Sequence, residues 1–453
     1  MYFCFKAKVC FASDPKLGWK VSSSSGAHCV HVILDISRLL TVAHRAAPSG
    51  IDRVELAYAR YFLSRAPGRC TFVAELPLLG YSALPPVLVA DLLGALEHGW
   101  ETGAGRARTI ARRIRLALPF GRSALAETLA QPGPKAFLLV SHRALERPGR
   151  IEAMRRLGCR FIPLIHDLIP LHHPEFARPG QAEKHRRRIA TTAALADGIV
   201  VNSAATGTEL APFLGPRAAE VPVAIAPLGV SPPQVEDPPV ALRPYFVVLG
   251  TIEPRKNHLL LLNLWRQFAG TLGPAAPRLV VVGRRGWENE NVLDMLERCS
   301  ALDGLVREAG MLPDREVASL LRGARALLFP SFAEGFGLPL AEALALGVPV
   351  LASDLPALRE VGGCVPEYID PMDGAAWRAV LLDYARADSL ARRAQLGRLG
   401  QWKPPSWEHH FDQVEALFEA IEARPALPLP LGQPAPARRG RVPAALMRDE
   451  GAS

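Results

Sequence analysis

The 453-residue chain has no GxGxxG run, and so lacks the dinucleotide fingerprint that would point to a dehydrogenase. Its seven cysteines (Cys4, Cys10, Cys29, Cys70, Cys159, Cys299 and Cys364) are dispersed, with no close pair at metal-ligand spacing. That pattern argues against a zinc site or a disulfide framework, and for reduced thiols in the cytosol. No apolar run is long enough to span a bilayer. The opening MYFCFKAKVCF lacks the uninterrupted apolar stretch of a signal peptide. Aromatic residues make up 7% of the chain and form no platform interleaved with basic ones. This weighs against a nucleic-acid-binding protein in spite of a net charge of +9. No repeat of solenoid period occurs.

What the chain does have is a hydrophobic content of 49% and apolar runs alternating with helical patterns, the signature of an α/β protein with parallel sheets. Strands are expected at Val30–Ile36, Ala136–Val140, Phe161–Ile165, Gly198–Val201, Tyr245–Leu249, Leu279–Gly283, Ala326–Pro330 and Val348–Ala352. The length suits two domains, each with its own core. We expect an extension at 1–29, a first domain at 30–231 and a linker at 232–244, where SPPQVEDPP excludes regular structure. A second domain follows at 245–400. The segment 401–424 holds an amphipathic helix with Phe411, Val414, Leu417, Phe418 and Ile421 on one face. The Pro/Ala/Arg-rich tail at 425–453 is expected to be disordered.

The positive charge is concentrated. Between Glu101 and Leu125 there are six arginines (Arg106, Arg108, Arg112, Arg113, Arg115 and Arg122) against one acid. Ala107, Ile110, Ala111, Ile114, Ala117 and Leu118 recur at helical spacing and leave the arginines on the other face. Such a helix either lies on an anionic membrane surface or packs its apolar stripe on its own domain, the commoner arrangement.

The most informative stretch is FAEGFGLPLAEALALGVPV, Phe332 to Val350. An apolar strand precedes it, and Pro339 preorganises the first turn of a helix opening near Leu338. A strand, a glycine-bearing loop and a helix N-terminus favour an anion. Gly335 and Gly337 allow close backbone approach, while Glu334 and Glu342, eight positions apart, can accept hydrogen bonds from hydroxyls. Phosphate and hydroxyls together are the chemistry of a nucleotide sugar. Taken alone, each glutamate would read as a solvated charge and each glycine as a turn.

Other motifs converge on the same reading. In YFVVLGTIEPRKNH a strand ends at Gly250, and the loop presents Thr251, Glu253, Arg255 and Lys256 before a helix. Ligands of open α/β sheets bind beyond strand carboxyl ends, so Arg255 and Lys256 are placed to neutralise a departing diphosphate. LVVVGRRGWENE is a weaker signal of the same form. RFIPLIHDLIPLHHPE puts His166 and Asp167 directly after a strand; the histidine is placed either to bond a transferred group or to serve as a buried structural residue. No third ligand joins His172 and His173, so no metal is expected. PSGIDRV sets Gly50, Asp52 and Arg53 at a helix start facing the cleft, as ligand-admitting residues or an ordinary turn.

Together these motifs resemble glycosyltransferase family 4, the group 1 glycosyltransferases of GT-B fold, most specifically in FPSFAEGFGLPLAEALALGVPV. The resemblance implies that Glu334 holds sugar hydroxyls and Glu342 the ribose. Gly335, Phe336, Gly337 and Leu338 would offer amides to sugar and diphosphate, Arg255 and Lys256 would clamp the diphosphate, and His166 would stand near the reacting centre. It further implies a GT-B pair of Rossmann-like domains with a C-terminal helix crossing back. The activity implied is retaining transfer of a sugar, without cofactor, from a nucleotide diphosphate sugar, with GDP-mannose favoured over UDP-sugars. The acceptor would be a glycan or lipid-linked hydroxyl, at the cytoplasmic side of a membrane. GTIEPRKNH and HDLIPL are closest to bacterial mannosyltransferase-type members. Gly250-Thr251 departs from the Gly-Arg found in many members. A GT-B sugar-nucleotide epimerase and a basic nucleic-acid-binding protein are the competing classes.

Overall fold

Strands buried on both faces read as nearly continuous apolar runs, because helices cover both sides of a parallel sheet. The computed structural model describes residues 30–428, apart from 46, 77–79, 103–104 and 236–242. The expected extension at 1–29, most of the tail and the middle of the linker lie outside the described residues.

The first lobe is built on β1 (His31–Asp35), β2 (Cys70–Leu76), β3 (Gly80–Ala83), β4 (Lys135–Leu139), β5 (Cys159–Ile165), β6 (Ile199–Val201) and β7 (Val223–Ile225), in the order β3-β2-β1-β4-β5-β6-β7. The second is built on β8 (Tyr245–Leu249), β9 (Arg278–Val282), β10 (Val306–Gly310), β11 (Leu327–Phe329), β12 (Val350–Ser353) and β13 (Glu367–Ile369), in the order β10-β9-β8-β11-β12-β13. All pairs are parallel except β2 with β3, as expected of an α/β protein with one antiparallel edge strand. Each sheet carries a hydrophobic core on either face.

The expected strands are all present within a few residues. Five others carry no such sequence signal, and four of them, β3, β7, β10 and β13, are the sheet edges. Edge strands are covered less completely, so they do not require apolar residues on both faces; β7, for example, alternates with two exposed positions.

The helix Trp407–Glu422 follows the second lobe in sequence but packs Phe411, Val414, Leu417, Phe418 and Ile421 into the first-lobe core. Ser406 caps it through the His409 amide. The arginine-rich helix Arg106–Ala117 buries Ala107, Ile110, Ala111 and Ile114 against its own lobe, beside the helix Pro86–Thr102. Its stripe therefore packs internally, while Arg106, Arg108, Arg112 and Arg113 remain exposed.

Candidate active site between the lobes

In the second sheet the chain runs outward from β8 to β9 and β10, then returns to β11 on the other side of β8. The crevice beyond the carboxyl ends of β8 and β11 is thus the topological switch point, where open α/β sheets bind ligands. The loops that follow these two strands are the ones singled out from sequence.

The loops after β8 and β9 run against each other. The Gly250 amide donates to Val282 O at 2.9 Å and the Ile252 amide to Arg284 O at 2.9 Å. Gly283 has φ 148°, and a β-carbon there would sit 1.8 Å from the Gly250 carbonyl oxygen, so only glycine fits. The β11 loop is tied in by Phe332, whose amide donates to Arg255 O at 2.9 Å.

Glu334 sits at the centre of a buried charge cluster. Its Oε1 pairs with Arg255 Nη1 at 2.8 Å and accepts a hydrogen bond from Lys256 Nζ. Burial works against ionisation, yet the charges of Arg255 and Lys256 hold the Glu334 carboxyl at about 2. Burial lowers the pKa of Lys256, with Glu334 opposing. The ammonium lies 4.5 Å from the Phe329 ring centroid, and its Cε would be 3.3 Å from a β-carbon at Gly250. An ammonium has three donors, so bonding Glu334 leaves Lys256 donor capacity toward a ligand.

Arg255 is different, with most of its donors taken by protein groups. Its Nε and Nη2 donate to Glu253 Oε1 at 3.0 and 2.7 Å, and Nη1 donates to Ala333 O at 2.7 Å. Nearly all of its donors are used in joining the β8 and β11 loops. It holds Glu334 and the loop backbone in place.

Beside this cluster lies a cavity of about 610 Å³ between the lobes. First-lobe Arg45, Ser49 and Arg53 face second-lobe Gly250, Thr251 and Glu342 across it. Glu342, in the helix Leu338–Ala345, accepts no hydrogen bond from any described residue. Burial raises its pKa, partly offset by Arg53. Arg53 Nη1 and Nη2 each donate to Asp314 at 2.6 Å, a bidentate ion pair joining the lobes.

The glycine loop is part of the lobe interface. Gly335 O accepts from Ser203 Oγ at 2.7 Å and Thr206 Oγ1 at 3.2 Å, and a β-carbon at Gly335 would lie 2.2 Å from His166 O. Phe336 and Leu338 pack on the first-lobe core, with Leu338 Cδ1 3.3 Å from the β-carbon position of Gly50. Gly337 is the left-handed residue opening the helix, at φ 96°. Glu360 accepts from the Ala204 and Ala205 amides at 2.7 and 3.2 Å, and Phe176 stacks on Phe332 with centroids 5.2 Å apart.

One first-lobe expectation is corrected. Asp52 does not face the cleft as a ligand contact: it is fully buried, forms a capping box with Ser49, and binds Arg38 Nε at 2.6 Å and Arg45 Nη1 at 3.3 Å. His166 is buried, its Nε2 bonded to Val140 O at 2.8 Å and its ring 5.2 Å from that of His142. Burial drives it to about 4, against the Val140 bond, so it is neutral at physiological pH. Its backbone carbonyl meets the second lobe at Gly335. Sequence reasoning missed Asp314, Ser203 and Thr206, whose partners are distant in sequence, and Arg45, which lines the cavity. Among the described residues no group of three or more His, Cys, Asp or Glu could hold a metal.

Two doubly wound lobes with a cavity at the switch point of the second define the GT-B class of fold. The solved structure of HepE from Anabaena, in complex with UDP and glucose, matches this chain with a TM-score of 0.57 at 13% identity, covering 87% of this chain and 99% of that one. Residues 238–363 match the family described as glycosyl transferases group 1. O-antigen chain mannosyltransferase B of Escherichia coli is 36% identical over 182 residues, 40% of this chain and 47% of the relative. Serotype-specific mannosyltransferase WbdA of Escherichia coli is 28% identical over 245 residues, 49% of this chain and 29% of the relative. The chain thus spans less than half the length of these relatives.

Proposed function

We propose that the chain is a retaining hexosyltransferase that moves mannose from GDP-mannose to an acceptor hydroxyl, in the synthesis of a bacterial surface polysaccharide or glycolipid. The observation that carries this reading is the adjacency, at one switch point, of a cavity lined by Gly250, Thr251 and Glu342 and the buried Lys256–Glu334 pair. The nucleoside and diphosphate occupy the cavity, with Glu342 accepting from the ribose and backbone amides facing the phosphates. The sugar lies toward Glu334, whose ionised carboxylate accepts its hydroxyls. Lys256 stabilises the charge that develops on the leaving diphosphate.

Glu334 is committed to Arg255 and Lys256, which suits it to gripping hydroxyls rather than attacking carbon. Retention then follows from reaction on one face, the departing phosphate taking the acceptor proton. Mannose is supported by the relatives' names and GDP by the family resemblance; the HepE likeness, at 13% identity, speaks to the fold alone.

A lipid-linked acceptor fits a second surface. The exposed arginine face of the helix Arg106–Ala117 borders Leu116 and Phe120, which are 70% and 83% exposed. Cations beside projecting apolar side chains suit an anionic lipid surface. Among the described residues no helix is long and apolar enough to cross a membrane.

A thermal-shift panel of nucleotides and nucleotide sugars tests the donor. GDP and GDP-mannose should raise the Tm of the wild type more than their uridine counterparts, and Glu342→Ala should lose most of that shift. A wild type unmoved by any nucleotide sugar refutes the reading.

A further inference from the structure

The charges on the cavity wall leave one first-lobe guanidinium without a full counter-charge. Arg53 is neutralised by its bidentate pair with Asp314. Arg255 is used within its own loops, and Lys256, behind Gly250 at the cavity's edge, is paired with Glu334. Arg45 does line it, in the segment leading into the helix Gly50–Ser64. Its side chain is 36% exposed, and its bond to Asp52 Oδ2 is long, 3.3 Å.

Asp52 is in turn shared. Its Oδ1 accepts from Arg38 Nε at 2.6 Å, and its Oδ2 accepts from the Ser49 amide and hydroxyl at 2.7 Å each. One buried carboxylate therefore serves two guanidinium groups, and this cluster carries an excess of one positive charge. The excess sits at the N-terminus of a 15-residue helix, whose dipole adds to it, and opposite the Gly250–Thr251 backbone.

We propose that Arg45 is a ligand of the donor diphosphate, reaching it across the cavity from the first lobe, with Asp52 as the positioning residue that orients it. This rests on the donor reading above and deepens it: the diphosphate bridges the lobes, held by second-lobe amides on one side and by Arg45 on the other. An arginine presents several donors in a fixed fork suited to phosphate oxygens, and the Asp52 contact engages only one edge of it.

The test is calorimetry of the full chain with GDP, GMP and guanosine, with the uridine series run in parallel. Arg45→Ala should weaken the diphosphate by roughly tenfold to a hundredfold, as expected for charge-assisted hydrogen bonds, and the nucleoside very little. Asp52→Asn should lower diphosphate affinity when Arg45 is present and leave it unchanged in the Arg45→Ala background. The Tm should drop in both backgrounds because Arg38 loses its carboxylate partner. Equal diphosphate affinity in wild type and Arg45→Ala overturns the assignment, as does an equal loss for diphosphate and nucleoside. A wild type that binds no nucleotide of either series overturns the donor reading itself, and this assignment with it.

Discussion

Glu55 is fully buried in the helix Gly50–Ser64, its Oε1 accepting from the Leu39 amide at 3.1 Å and its Oε2 without a partner among the described residues. Burial, reinforced by nearby Asp35, raises its carboxyl to about 8. The native state thus binds a proton that the unfolded chain, with an ordinary glutamate, has released. This contribution to stability is complete below the ordinary glutamate value and is lost as pH rises through about 8. Between pH 6.5 and 8 denaturant-derived stability should fall by up to about 1.4 kcal/mol per pH unit. Glu55→Gln should flatten that slope, and an identical slope in both proteins would place the proton elsewhere. Lys256 supplies a kinetic counterpart: Lys256→Ala should depress kcat by roughly a hundredfold or more with the fold intact. Near-normal turnover would remove it from the proposed chemistry. Residue roles were unevenly legible. The spacing of Glu334 and Glu342 stood out because strand, glycines and proline framed it. Ser49 and Asp52 stand at capping-box spacing, a local signal that could have told against a ligand-facing Asp52. For Arg255, sequence shows the charge but not that Glu253 and Ala333 O occupy several of its donors.

Among elements, legibility followed burial, with the interior strand β2 as the exception. Strands such as β5, β8 and β9 lie inside their sheets and announced themselves, whereas β3, β7, β10 and β13 lie at the edges and did not. The arginine-rich helix had two readings in sequence because period 3.6 locates a stripe without naming what covers it. The structure shows the stripe packed on its own lobe, with a separate cationic face beside Leu116 and Phe120. Binding to vesicles containing phosphatidylserine, measured by sedimentation at low salt, should weaken severalfold in Arg108→Glu/Arg112→Glu. Phe120→Ser should weaken it further at every salt concentration. If neither variant changes sedimentation, that face does not dock on lipid.

At the scale of the whole molecule, the closed cleft is maintained by groups that also surround the candidate site. Gly335 meets Ser203, Thr206 and His166, and Arg53 meets Asp314. Gly335→Ala should hold the lobes apart, since a β-carbon there would sit 2.2 Å from His166 O. The radius of gyration from X-ray scattering should rise and turnover should fall, and diphosphate affinity should fall with them as Arg45 is drawn away from the second lobe. Unaltered scattering and turnover would show that the loop yields instead. None of these cross-lobe contacts could be read from sequence; Arg53 and Asp314 are 261 positions apart.

The helix Trp407–Glu422 gives the chain two crossings between lobes, and they run side by side: the Val230 amide donates to Pro405 O at 3.1 Å, and a β-carbon at Gly229 would touch the Trp407 backbone. The second lobe is therefore an insert with neighbouring ends, not the terminal half of the chain. A chimaera meant to alter donor choice should transplant residues 231–405 as one cassette, leaving the final helix with the recipient, and a protease nick in the first crossing should leave both lobes on one covalently tethered pair.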